Sequence, residues 1–253
     1  MKQPAKNSGK LKGRIALVTG SAKNLGKAIA LRLAQEGATL ILHFNTSEKE
    51  ARDTLNEVRR FSPKSIMVQA DIMNHEEMDQ MMDTISDKFH RLDILVNAVG
   101  DFIWKNIAET TDKELDHIVR NNLVTAYSMM TRCLPLMRKN KWGRIISFGS
   151  AGCDRIIVRE KTTPYYIGKT GLYMASKALA ASQAKYGITI NMISPGILET
   201  SVARPDRKIM PMRRYTSYDD IINALLFLVS DNSVNITGAN IEVSGGWWPG
   251  YSE

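Results

Sequence analysis

At 253 residues, 43% hydrophobic and 24% charged, the chain has the composition of a globular protein near the upper size that one hydrophobic core supports, so a single domain spanning 1–253 is expected. No run approaches ~18 consecutive apolar residues, and neither the two cysteines nor the four histidines show disulfide or ligand spacing, which argues against membrane spans, disulfide frameworks and metal centres. The formal charge of +8 is spread along the chain rather than clustered with aromatics, so a basic surface facing an anionic ligand fits better than a nucleic-acid reader.

Residues 1–10 read as a flexible polar head that leads straight into a strand rather than into a signal-type apolar segment, which points to a cytoplasmic protein. The first strand is expected in "RIALVTG" (14–20), with a helix over 24–36. "TLILHF" (39–44) and a helix over 47–61 follow, then "SIMVQAD" (65–71) and a helix over 75–90. "LDILVNAVG" (92–100) precedes a long helical pattern over 111–138. "GRIISFGS" (143–150), a helix over 165–186 and "ITINMISPG" (188–196) come next. A loose, charged segment from 201 leads to a helix over 218–231 and the last strand, "ANIEVSGG" (239–246).

Strands separated by helices of this length need crossover connections, and their near-continuous apolar character means burial on both sides. The fold class is therefore α/β: a doubly wound, seven-stranded parallel sheet with helices on both faces. Ligands in such sheets bind at the carboxyl ends of the strands, where strand order reverses. The first strand-to-helix turn, Thr19-Gly20-Ser21-Ala22-Lys23-Asn24-Leu25-Gly26, is thus the place for phosphate chemistry. Gly20 permits the tight turn, Gly26 lets helix and strand pack closely, and the helix N-terminus offers unpaired N–H groups. A plain turn would use the same glycines.

Other strand ends carry specific residues: Asp71, "NAVG" (97–100), Ser150, Pro195-Gly196 and Thr200. With the glycine turn, a Tyr-x-x-x-Lys and the closing "ITGANIEVSGG", they stand in the order and spacing of the short-chain dehydrogenase/reductase family, which the chain resembles from about residue 10 to residue 247. The resemblance implies a Rossmann-type domain that binds a nicotinamide dinucleotide along Gly20, Ala22, Lys23, Asn24, Leu25 and Gly26. It continues past His43, Asn45, Thr46 and Ser47, then Asp71 and Ile72, then Asn97, Ala98 and Val99, to Tyr165, Lys169, Pro195, Gly196, Ile197 and Thr200. It also implies a cytoplasmic homotetramer or homodimer, with a short substrate lid over 201–216.

Tyr-x-x-x-Lys occurs twice, as Tyr165 with Lys169 and as Tyr173 with Lys177. The register from Tyr165 to Pro195 matches the family without a gap, whereas starting at Tyr173 leaves more than the ~12–15 residues usual for a structureless connection after Ser150. Eight helical residues also carry Tyr173 about 12 Å along the axis and roughly 80° around it. Tyr165 and Lys169 are therefore the expected pair, with Tyr173 and Lys177 as surface or subunit-contact residues. A carbonyl receiving hydride needs a proton at its oxygen, and the ammonium at i+4 is expected to lower the tyrosine pKa. By resemblance, Lys169 holds the nicotinamide ribose, Ser150 polarises the substrate oxygen, and Asn122 supports a proton-relay water, with Asn121 as the alternative.

No carboxylate follows strand 2 until Glu48, and Lys23 stands where NADP-using relatives carry a basic residue, so NADP(H) is the expected cofactor. Asp71 would meet the adenine amino group, or alternatively cap the next helix. The chain departs from the family pattern at Asn24, where glycine is usual, and at Ala98 and Val99. The branches it is most similar to are the β-ketoacyl-[acyl carrier protein] reductases and the pteridine reductases. The second of these stacks a phenylalanine, here Phe102, on its pterin, but replaces the serine that this chain keeps as Ser150. An NADPH-dependent carbonyl reductase acting on a 3-oxoacyl thioester or similar ketone is the leading expectation. Ring reduction of a pterin and a non-catalytic dinucleotide-binding regulator are the alternatives.

Overall fold

The computed structural model describes residues 9–156, 158–201 and 204–249. The expected flexible head lies outside these residues apart from Gly9 and Lys10, and so do Val202 and Ala203 of the expected lid.

All seven expected strands form: β1 (Ile15–Val18), β2 (Thr39–Phe44), β3 (Ile66–Gln69), β4 (Ile94–Asn97), β5 (Gly143–Phe148), β6 (Ile188–Pro195) and β7 (Asn240–Val243). They pair in parallel in one sheet of order β3-β2-β1-β4-β5-β6-β7, so the order reverses between β1 and β4. Both faces are covered, because successive side chains of a strand point to opposite sides. Ile15 and Leu17 of β1 join the core beneath α3 (His75–Phe89), α5 (Thr125–Asn140) and α6 (Thr163–Gln183). Ala16 and Val18 join the other core beneath α1 (Asn24–Gln35), α2 (Glu48–Arg59) and α7 (Tyr218–Leu228). Met129, Met130 and Met137 of α5 are buried in the first of these cores.

Helix ends follow their local chemistry. Asn74 caps α3 by accepting from the Glu76 and Glu77 amides, and Ser217 with Asp220 forms a capping box on α7. Thr111 with Glu114 does the same for a short helix, α4 (Asp112–Val119).

The long helix expected over 111–138 is interrupted. After α4 the chain makes a wide π turn over Arg120–Val124 before continuing as α5. The cause is tertiary: Asn121 and Asn122 are both buried, and both bond the Asp101 backbone, Asn121 Oδ1 accepting its N–H at 2.7 Å and Asn122 Nδ2 donating to its carbonyl at 2.9 Å. A regular helix turns neighbouring side chains about 100° apart, which would send one of the two outward.

At the amino edge of the sheet, the fully buried Asp93 accepts from the Ile15 amide and pairs with Arg91 and Arg14. Those charges are spent on holding strands together, which leaves the carboxyl edge, at the β1/β4 reversal, as the end open to ligands. Among the described residues, no helix is long and apolar enough to cross a membrane.

Candidate active site

The turn after β1 has the shape of a phosphate cradle. Gly20 is left-handed at φ +63, and a Cβ on Gly26 would lie 2.3 Å from the Gly20 carbonyl oxygen, so α1 sits directly on the turn. Asn24 takes φ 52, the left-handed conformation that the usual glycine would supply and that asparagine tolerates best among residues with a side chain. Its side chain is exposed, so the departure from glycine is met by conformation rather than by filling the cradle. With no acidic residue in the first turn of α1, its N-terminal amides and dipole face an anion unopposed.

His43 is corrected by the structure. Expected to contact the cofactor after β2, it instead lies inside the strand, 2% exposed. Its Nδ1 accepts from the Gly20 amide at 3.1 Å and its Nε2 bonds the Ala70 carbonyl at 2.9 Å. Burial lowers its pKa, which keeps the ring neutral with the proton on Nε2. Position 43 belongs to the strand, and pairing with Val68 turns its ring towards β1 and β3 rather than out at the edge.

Asn45 and Thr46 are exposed beyond β2, and Ser47 precedes α2 without a side-chain cap. Lys23 Nζ lies 3.9 Å from Glu50 Oε1, both half-exposed. Asp71 is half-buried at the end of β3, and one of its oxygens accepts from the Met73 amide. It does not cap α3, since Asn74 does. Ile72 beside it is buried. Asn97 is a second correction: its amide donates to Ser147 Oγ at 3.1 Å and to the Ala126 carbonyl at 3.3 Å, so the side chain is spent in the core.

A cavity of about 660 Å³ opens at the carboxyl ends of β4, β5 and β6, lined by Ala98, Val99, Gly100, Phe102, Ser150, Tyr165, Lys169, Pro195, Gly196, Ile197 and Thr200 among others. The structure thus brings the expected serine, tyrosine and lysine together. Tyr173 and Lys177 are elsewhere, bonded to each other at 3.4 Å. Phe102 meets the Tyr165 ring edge-on, with centroids 5.1 Å apart.

Lys169 is buried, donates to the Phe148 carbonyl at 2.8 Å, and lies 5.5 Å from the Tyr165 ring centroid. Its burial brings its pKa down to about 8. The expected lowering of the Tyr165 pKa is not met. Burial pushes the phenol up, reinforced by Tyr166 and Cys153, and only hydrogen bonding with Ser150 works the other way. Desolvation of the phenolate outweighs what hydrogen bonding with Ser150 returns, so Tyr165 stands protonated.

Asn122 is the asparagine that faces this centre. Its Oδ1 is buried without a hydrogen-bond partner among the described residues, and a Cβ on Gly100 would sit 2.7 Å from that oxygen and 3.1 Å from Lys169 Nζ. The amide oxygen and the ammonium therefore flank one glycine, with the asparagine clamped by the Asp101 and Ile118 carbonyls.

Several residues of the cavity were not legible in the sequence. Tyr166 OH lies 3.0 Å from Ser150 Oγ and donates to the Ala151 carbonyl at 2.9 Å. Trp104, Arg159, Thr162 and Trp247 also line the cavity. They come from loops and the tail, where no periodicity signals direction. Trp247 packs against Ala151 and Met210.

Residues 20–248 match the family model described as enoyl-(acyl carrier protein) reductase. The chain is 32% identical over 244 residues to the BbsD subunit of (2S)-[(R)-hydroxy(phenyl)methyl]succinyl-CoA dehydrogenase from Thauera aromatica, covering 93% of this chain and 97% of the relative. It is 30% identical over 242 residues to the 3-oxoacyl-[acyl-carrier-protein] reductase of Synechocystis, covering 93% and 97%. Over 255 residues it is 28% identical to the D-beta-hydroxybutyrate dehydrogenase of Rhizobium meliloti, covering 92% and 98%. Among solved structures, one assigned as a gluconate dehydrogenase from Agrobacterium tumefaciens superposes with a TM-score of 0.87 at 28% identity, covering 93% of this chain and 96% of that one.

Proposed function

The chain belongs to the short-chain dehydrogenase/reductase family of oxidoreductases, which bind a nicotinamide dinucleotide, and from that premise we propose that it is an NADPH-dependent carbonyl reductase acting on a 3-oxoacyl thioester or a similar ketone. The observation that carries this reading is the convergence of Ser150, Tyr165, Lys169 and the unpartnered Asn122 Oδ1 on one cavity, beside a turn in which Gly26 has no room for a Cβ.

Held along that turn by the residues from Gly20 to Gly26, the reduced cofactor would supply hydride to a carbonyl carbon. Ser150 and Tyr165 would hold the carbonyl oxygen, and the protonated phenol gives it a proton as charge builds. Lys169 keeps a positive charge beside the developing phenolate and offers donors to the ribose. Asn122 Oδ1 would accept from a water that passes a proton on to Lys169.

The test follows NADPH absorbance with purified protein on acetoacetyl-CoA, a dihydropterin and small diketones. Turnover of the thioester or a diketone supports the reading. Turnover of the pterin alone favours the pteridine-reductase-like alternative, for which the exposed Phe102 at the cavity wall is the supporting feature. Binding of NADPH without any turnover favours a non-catalytic dinucleotide-binding regulator.

Preference for NADPH rests on Lys23 and on the absence of a carboxylate directly after β2. A charge-assisted bond to the 2′-phosphate contributes on the order of 1.5–3 kcal/mol, while the exposed pair with Glu50 competes weakly. Lys23→Ala is therefore expected to cut the NADPH-over-NADH ratio of kcat/KM by roughly tenfold or more. Tighter binding of NADH than NADPH by the unmodified protein would refute the assignment. The exposed Tyr127, Ile167 and Met174 on α5 and α6 support an assembly of chains through these helices, and a cytoplasmic homotetramer or homodimer is the form proposed.

A further inference from the structure

We propose that His43 is a positioning residue for the cofactor: its imidazole sets the orientation of the phosphate turn from behind, without touching the dinucleotide. This rests on the family-level reading that the turn after β1 holds the cofactor, and not on which substrate is reduced.

The ring is hydrogen-bonded at both nitrogens to backbone of two other strands' ends. Nδ1 takes the Gly20 N–H, and Nε2 bonds Ala70, the residue before Asp71. The His43 carbonyl accepts from the Ser21 amide at 3.0 Å and lies 3.3 Å from Ser21 Oγ. One residue of β2 thus fixes the two peptides at the start of the turn and the end of β3. Three consequences follow for the site.

The Gly20 amide is already used, so the phosphates must be met by amides further on, at the start of α1. The ring fixes the Thr19–Gly20 peptide and the His43 carbonyl fixes the next one, Gly20–Ser21, whose carbonyl oxygen α1 packs on at the distance that excludes a Cβ from Gly26. A rotation of this peptide therefore moves the helix N-terminus that faces the anion. The link to Ala70 ties the same turn to the strand end that carries Asp71, so the pyrophosphate and adenine ends of the site are held in register by one side chain. An apolar residue at 43 would strand a buried N–H at Gly20 and a buried carbonyl at Ala70, and such groups are rarely left unpaired.

The test uses three variants and direct titration with NADPH and, separately, NADH. His43→Asn places an amide oxygen near the Nδ1 position and can keep the Gly20 bond. His43→Gln reaches towards Ala70 but loses it, and His43→Leu loses both. The expected result is a dissociation constant raised tenfold or more for the Gln and Leu variants and within threefold of the unmodified protein for Asn. With saturating cofactor, kcat should stay within about threefold in every folded variant, because the reacting groups lie elsewhere. Amide hydrogen exchange at Gly20 should quicken in the Gln variant and not in the Asn variant. Should His43→Leu fail to fold, the Asn and Gln comparison decides alone. Equal weakening in Asn and Gln, or unchanged affinity in Gln, overturns the proposal, as does a loss of kcat with affinity intact. If the unmodified protein binds neither cofactor, it is the dinucleotide reading that fails.

Discussion

Replacing Tyr165 by phenylalanine is expected to lower kcat by about 10²–10⁴-fold, the range that a positioned general acid contributes, while leaving NADPH affinity nearly unchanged. The phenol is protonated in the cavity because burial raises its pKa, and Phe102 and Tyr166 hold its ring edge-on in addition to the hydroxyl's bond with Ser150, so removing the oxygen should not disturb the fold. Two neighbours serve as controls. Tyr173→Phe should behave as the unmodified protein, since among the described residues the Tyr173 hydroxyl bonds Lys177, outside the cavity. Tyr166→Phe removes a hydroxyl whose pKa burial has pushed up to about 12 and whose bonds are to Ser150 and the Ala151 carbonyl. One such bond is worth about 0.5–1.5 kcal/mol, so a loss of up to roughly tenfold is expected there. Reduction should also slow as pH rises through about 8, where Lys169 gives up the proton that recharges the phenol; below that pH it is charged. Full turnover by Tyr165→Phe with loss in Tyr173→Phe or Tyr166→Phe would move the proton donor to that residue.

Gly26→Ala is expected to abolish cofactor binding at concentrations that saturate the unmodified protein, raising the dissociation constant by a hundredfold or more. The added methyl would meet three backbone atoms: the Gly20 carbonyl oxygen at 2.3 Å, its carbon at 2.9 Å and Ser21 Cα at 3.1 Å. No side chain can rotate away to relieve this, so α1 must retreat by roughly 1 Å or more to reach ordinary carbon contact distances. Overpacking of this kind costs about 1–3 kcal/mol, visible as a lower Tm. The larger effect falls on the cofactor, because the same movement withdraws the helix N-terminus. Asn24→Gly is the contrasting variant. Asn24 already holds φ 52, so glycine there keeps the turn and should keep or tighten binding. Retained affinity in Gly26→Ala would show that the phosphates are not held at this turn.

What the residues fixed by themselves was the layer plan. Short aliphatic runs spaced by amphipathic helices leave no simple alternative to parallel pairing, and the strand ends observed fall within the expected runs, as with "SIMVQAD" against Ile66–Gln69. The glycine turn was legible for the same reason: backbone conformations that need no side chain are written in composition. The separation of Tyr165 from Tyr173 could be read as well, because helix rise and the length of the preceding loop are properties of the chain alone.

Orientation and environment were decided by tertiary structure. The resemblance implies a cofactor contact at His43, yet its ring partners lie 23 and 27 residues away and turn it inward. Asn97 was placed on the cofactor side, but Ser147, 50 residues on, claims its amide. A periodicity of 3.6 cannot announce a π turn, since that turn exists to bring Asn121 and Asn122 to the Asp101 backbone together. Whether Lys169 lowers the Tyr165 pKa likewise depends on how much water the folded chain removes from both. Spacing along a chain specifies which groups can meet; which way they face, and how dry they are when they do, is set by neighbours that only folding supplies.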